Sequence, residues 1–153
     1  MINARDFAIR AHGNQRYGGH AYVLHLDQVV ATLKEFGYND PAMINAGYLH
    51  DVLEDTNVSF KELKERFSIA TSLLVFAVTA VGDTRESKTQ YTIKNLQINK
   101  AAIPLKMADR LSNMRFSAAN SRKHIETYRK ELPLYRELFE KTNSRMYEEM
   151  VKL

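Results

Sequence analysis

Cysteine is absent from this 153-residue chain, which removes disulfide frameworks, thiolate metal ligands and thiol nucleophiles together. Any metal site must therefore be built from His, Asp or Glu. Glycine (6) and proline (3) are scarce, and 44% hydrophobic with 26% charged residues is a globular composition, neither disordered nor fibrous. No apolar run approaches the roughly 18–20 residues that span a bilayer, and the opening MINARDFAIR has no signal-peptide core. Dense Lys/Arg blocks interleaved with aromatics are missing too, which argues against nucleic acid as a partner. The 22 Lys and Arg exceed the 18 Asp and Glu by 4, a mild excess that admits an anionic ligand without requiring one. These absences predict a cytoplasmic protein with no membrane partner, folded as a single domain over residues 1–153.

What is present is helical patterning nearly throughout, with no internal repeat, low-complexity tract or linker. Asn3 is placed to cap a first helix through about His12, with Asp6 in its first turn. NQRYGGH (14–20) reads as a loop broken by Gly18 and Gly19. Leu26, Val29, Val30 and Leu33 then recur at helical spacing up to Gly37. Asp40-Pro41 marks a helix start that leads into YLHDVLEDT (48–56). Ser59 and Glu62 have the spacing of a capping box for a short helix ending near Phe67. IATSLLVFAVTAV (69–81) reads as a buried helix, a strand being the alternative. A polar loop is predicted at 81–88, helices at about 88–100 and 103–118, and a last helix from near Arg122 that Pro133 should break or kink. The expectation is an all-α bundle of about eight helices.

Two polar faces stand out. On a helix of 3.6 residues per turn, His50, Asp51, Glu54 and Asp55 share an arc of roughly 140°, opposite Ala46, Leu49 and Leu53. The arc is either the solvated side of an amphipathic helix or half of a metal site. Its three acids have no compensating Lys or Arg, and Asp51 and Asp55 repel at i,i+4 by a few tenths of a kcal/mol. A divalent cation would relieve that repulsion. In PLKMADRLSNMR (104–115), Lys106, Asp109 and Asn113 lie within about 60° of one another, against Met107, Ala108, Leu111 and Met114. Taken alone, this is a surface stripe with an i,i+3 ion pair. A third piece, QRYGGHAYVLH (15–25), joins an arginine, a glycine pair and His25; such a histidine is more often a core or capping residue than a ligand.

Together and in this order, the three pieces resemble the HD-domain superfamily of metal-dependent phosphohydrolases, and within it the alarmone hydrolase domain of RelA/SpoT homologues. That family has an Arg nine residues before a His (Arg16 and His25, with GGHAYVL between them close to its Gly-x-x-Tyr-x-x-His). Its L-H-D-x-x-E-D-T helix is matched by LHDVLEDT (49–56), and its K-x-A-D-R/K-L-x-N-x-R helix by KMADRLSNMR (106–115). RDFAIRAHGNQR is similar to the family's A-x-x-x-H-x-x-Q-x-R, and FAVTAV (76–81) to the helix before its variable loop. The resemblance runs from about residue 3 to 140, and YRKELPLYREL (128–138) resembles the C-terminal helices of short bacterial forms. The chain ends where bifunctional members begin a synthetase domain, which implies a stand-alone small alarmone hydrolase of the metazoan SpoT-homologue kind.

The resemblance implies one divalent ion, manganese first, held by His25, His50, Asp51 and Asp109. Two imidazoles and two carboxylates suit a borderline-to-hard ion. It further implies that Glu54 and Asp55 are the catalytic acids acting on water, and that the substrate is guanosine tetra- or pentaphosphate, cleaved to GDP or GTP and pyrophosphate. Arg16 and Asn113 match substrate-contacting positions; Lys106, Arg85, Lys88 and Tyr128 are further candidates, and Arg110 adds nearby charge. Tyr17 stands where many members carry Lys or Arg, and an aromatic there is expected to stack on the purine. His20 and Ser112 also depart from the common residues, but no implied metal ligand or catalytic acid is missing. His12 is read as structural and His124 as a surface residue. Two other functions stay open at this point. One is a phosphohydrolase acting on another nucleotide such as NADPH; the other is an antitoxin-type module binding a small alarmone synthetase toxin.

Overall fold

The computed structural model describes residues 2–153. Four of the first six helices start where a side chain satisfies backbone N–H groups that a helix N-terminus leaves without partners. Asn3 accepts from the Asp6 amide at the head of α1 (Ala4–His12), and Asp40 from the Met43 amide at the head of α3 (Pro41–Leu49). Ser59 opens α5 (Phe60–Arg66) by accepting from the Glu62 amide, and Ser68 opens α6 (Ile69–Val78). Between α1 and α2 (Val23–Glu35) the predicted loop is a small antiparallel hairpin, β1 (Arg16–Tyr17) with β2 (His20–Ala21). Gly18 and Gly19 form its turn at φ +53° and +85°, the left-handed pair that a two-residue hairpin requires.

The helix predicted through residue 56 stops at Leu49. His50 and Asp51 form a break, after which α4 (Val52–Asp55) makes a single turn. The polar loop is shorter than predicted, because Thr84 and Ser87 form a reciprocal capping box that starts α7 (Arg85–Ile98) three residues early. A 3₁₀ turn (Lys100–Ala102) leads into α8 (Ile103–Ala119). α9 (Ile125–Thr142) begins after Arg122 and runs through Pro133 without the expected break. The proline removes one main-chain hydrogen bond, but Leu132, Tyr135 and Phe139 are buried on either side of it and hold the helix to the core. The chain breaks instead at Asn143, which caps α10 (Ser144–Val151).

Among the described residues there are thus ten α-helices against the eight expected, and the all-α class holds apart from the hairpin. α2 and α8 lie side by side at the centre, with α3 and α6 on one flank and α9 and α10 on the other. Leu26, Leu33, Leu49, Leu105, Leu111 and Met114 fill the space between them. α3 approaches α2 closely at Gly47, where a Cβ would sit 2.9 Å from Val30 and 3.0 Å from Leu33. That approach brings the end of α3 beside the start of α2. α6 is less buried than predicted: Ile69, Leu73 and Phe76 face outward. No helix among the described residues is long and apolar enough to cross a membrane.

Candidate active site

His25 stands in the first turn of α2, directly after the hairpin. His50 and Asp51 occupy the break between α3 and α4, and Asp109 lies in α8. Because the chain turns between α3 and α4, two consecutive residues face the same point. The His50 Nδ1–H donates to the Gly47 carbonyl at 2.8 Å, which aims Nε2 into the cluster. The His25 and His50 Nε2 atoms are 3.3 Å apart. Asp109 Oδ1 lies 3.1 Å from His25 and 3.4 Å from His50, while Asp51 Oδ2 lies 3.0 Å from His50 and 3.7 Å from His25. One ligand atom each from His25, His50 and Asp51 lies within 4.8 Å of the other two, a group able to hold a metal ion.

The electrostatics fit a cation. Were both imidazoles to act as neutral ligands, the two carboxylates would outweigh the single charge of Lys106 beside Asp109 and leave the largely buried pocket net negative, which suits a cation. Burial alone would lower the His50 pKa, but Asp51 and Asp109 outweigh it and raise the value well above the ordinary one. Burial would likewise raise both carboxyls. The charge on His50 outweighs it at Asp51, which drops to about 2, and Lys106 together with both imidazoles holds Asp109 well below its usual range. The carboxylates thus favour a proton on His50, which a divalent ion held there would displace.

Beyond the cluster, α4 presents Glu54 and Asp55. Glu54 Oε1 accepts from the Ala80 amide at 2.8 Å, and partial burial raises its pKa. Asp55 Oδ2 accepts from Gln15 Nε2 at 3.0 Å and lies 3.5 Å from the Tyr22 hydroxyl. That hydroxyl donates to Asp51 Oδ2 at 2.5 Å. Burial, with Asp51 beside it, pushes the Tyr22 phenol far above its ordinary pKa, so it stays a donor. Tyr22 and Gln15 were visible in the sequence as parts of matching motifs, without any pattern that tied them to the acids.

These groups open on a cleft of about 240 Å³. Its other wall comes from α7, α8 and α9 and carries Arg85, Lys88, Lys106, Arg110 and Tyr128. Lys106 is paired with Asp109 at 3.4 Å. Burial would lower its pKa, yet Asp109 outweighs that and keeps it charged. Arg85 and Arg110 both bind Glu131 of α9, and both guanidinium groups flank the Tyr128 ring at 5.7 and 5.0 Å. Arg85 therefore belongs to a helix, not to the loop where the sequence placed it. Asn113 lines the cleft with its amide committed at both ends, donating to Asp109 at 3.1 Å and accepting from Tyr17 at 2.7 Å.

Two predicted contacts lie apart from that lining. Arg16 is exposed on the hairpin. Tyr17 stacks on the His25 ring, with centroids 4.7 Å apart, and packs on Phe116 at 4.5 Å. The ring for which stacking on a purine was expected thus packs on a histidine of the cluster, where the hairpin folds back on α2 and α8. His20 packs edge-on to Phe116, and Ser112 is buried against Thr32.

Residues 4–142 match the family model described as an HD domain, and the chain belongs to that family. It is 36% identical over 118 residues to guanosine-3′,5′-bis(diphosphate) 3′-pyrophosphohydrolase of Aquifex aeolicus, covering 73% of this chain and 17% of that one. It is 37% identical over 124 residues to the probable enzyme of the same name from Synechocystis, covering 75% of this chain and 16% of that protein. The chain thus spans about a sixth of the length of these curated relatives. Among solved structures it resembles one described as a metazoan orthologue of SpoT that hydrolyses ppGpp. That likeness has a TM-score of 0.81 at 24% identity and covers 97% of this chain and 90% of the other.

Proposed function

We propose that this chain is a hydrolase that removes the 3′-pyrophosphate of guanosine tetra- or pentaphosphate, with one divalent ion, manganese first, held by His25, His50, Asp51 and Asp109. The observation that carries the reading is the convergence of His25, His50 and Asp51, with Asp109 Oδ1 3.1 Å from His25, beside two carboxylates on a cleft whose far wall is cationic. The relatives named as pyrophosphohydrolases supply the substrate class. When bound, such an ion polarises a phosphoryl oxygen and acidifies water.

The chain's own residues do the rest. Glu54 has one oxygen engaged by the Ala80 amide and a raised basicity. It accepts the proton of the attacking water. Asp55 orients that water from the next position. The bond between phosphorus and the ribose 3′ oxygen breaks, the water oxygen stays with pyrophosphate, and the proton ends on the 3′ oxygen. Lys106, Lys88 and Arg85 neutralise phosphate charge, and Tyr128 offers a ring to the nucleoside. Arg16 and Tyr17 act from outside the cleft, Tyr17 by fixing Asn113 and His25.

Purified protein with manganese should release pyrophosphate and GDP from guanosine tetraphosphate in equal amounts. Asp51→Ala and Asp109→Ala should reduce turnover to background, and Glu54→Gln should lower kcat by about 10²–10⁴-fold. Metal-loaded protein that leaves this substrate intact while hydrolysing NADPH or another nucleotide phosphate would keep the chemistry and overturn the substrate.

A further inference from the structure

Asp55 ends a one-turn helix and is exposed, so its own element does little to fix its carboxylate. Its anchor comes from 40 residues earlier in the chain. Gln15 Nε2 donates to Asp55 Oδ2 at 3.0 Å, and Gln15 Oε1 faces the Nδ1 of His12 at 2.7 Å. A glutamine amide can point either way, but a flip here would set its oxygen against the Asp55 carboxylate, which can only accept. The orientation observed makes His12 Nδ1 the donor. His12 is buried at the end of α1, and its Nε2 has no protein partner. A proton on that buried nitrogen would lack a protein acceptor, so the Nδ1–H tautomer is the one that fits.

The same histidine also braces the second contact. Its ring stacks on Tyr22 at a centroid distance of 4.5 Å, and the Tyr22 hydroxyl reaches Asp51 and Asp55. One buried side chain thus stands behind both of the groups that reach Asp55.

We propose that His12 and Gln15 form a positioning arm for Asp55: His12 sets the direction of the Gln15 amide, and the amide sets the carboxylate. The assignment rests on the reading of Asp55 as a catalytic acid. Neither arm residue touches the ion or the substrate, so the arm acts on turnover and leaves ground-state binding alone.

Four variants of the full chain test it with manganese and guanosine tetraphosphate. Gln15→Met and His12→Phe, which keeps a ring against Tyr22, should each lower kcat about tenfold, less than the ~10²–10⁴-fold cost of losing an acid–base group. KM and manganese affinity should stay within about twofold. His12→Asn, which restores a donor near Nδ1, should recover part of the loss, and the His12→Phe/Gln15→Met pair should be no worse than either alone. Wild-type kcat in either single variant, fully additive losses, or a parallel fall in manganese affinity would overturn the arm.

An activity-independent readout separates this from the substrate reading. Long-range ¹⁵N spectra of wild-type His12 should show the Nδ1–H tautomer, and Gln15→Met should abolish that preference. If the signature is present but guanosine tetraphosphate is untouched, the substrate falls and the arm stands. If the signature is absent, the arm falls whatever the substrate.

Discussion

Glu131 accepts from two guanidinium groups at once, Arg85 at 2.6 and 3.0 Å and Arg110 at 2.8 Å. Burial would raise its pKa, but the two arginines outweigh that and lower it. A carboxyl whose folded pKa lies below its unfolded value stabilises the fold above the unfolded value, near 4.3, and loses that contribution as pH falls through the folded one. Glu131→Gln should therefore cost about 3 kcal/mol at pH 7, since it strands the buried Arg110. The gap from wild type should narrow below about pH 4, and urea melts at the two pH values check both statements. This pairing was not legible in the sequence: Arg110 and Glu131 are 21 residues apart and neither belongs to a spacing pattern that names the other. His50, Asp51, Glu54 and Asp55 were legible because their spacing is local. Tyr17 was half legible, its departure from the family being visible and its place over His25 depending on the hairpin's path.

At the scale of elements, helix starts were readable wherever one side chain caps one amide, as at Asn3, Asp40 and Ser59. The hairpin was not, because two-residue strands are too short to show alternation. The break at His50–Asp51 carries no glycine or proline, and the hydrophobic spacing continues through it, so periodicity alone predicts an unbroken helix. The hairpin's function is sensitive to its turn. Gly18 has φ +53°, and a Cβ there would lie 2.7 Å from the Phe116 ring. Gly18→Ala should cost at least about 1–2 kcal/mol through the left-handed backbone alone. Because Phe116 also supports Tyr17, the substitution should also weaken manganese binding as Tyr17 lifts from His25. Thermal melts and metal titration of the one variant measure the two effects.

For the molecule as a whole, the proposed ligands come from α2, the α3–α4 break and α8, so one ion would bridge the segments that form the centre of the bundle. Binding that requires the folded arrangement stabilises it. Free manganese at about 100 times its Kd should add about 2.7 kcal/mol, seen as a rise in Tm that a chelator reverses. The rise should vanish in Asp109→Ala. The all-α class and the order of the three motifs were legible at this scale, while the packing of α2 on α8 was not, since it joins segments about 80 residues apart, as Thr32 against Ser112 illustrates.

The break between α3 and α4 also limits how this chain can vary in length. Adding or deleting one residue between Asp51 and Glu54 would rotate the acids by about 100° relative to the imidazoles and shift them 1.5 Å along the axis. Glu54 would then leave the Ala80 amide, and Asp55 would leave Gln15. Residue identities in α4 can drift where they meet solvent, but its count of residues is tied to the site.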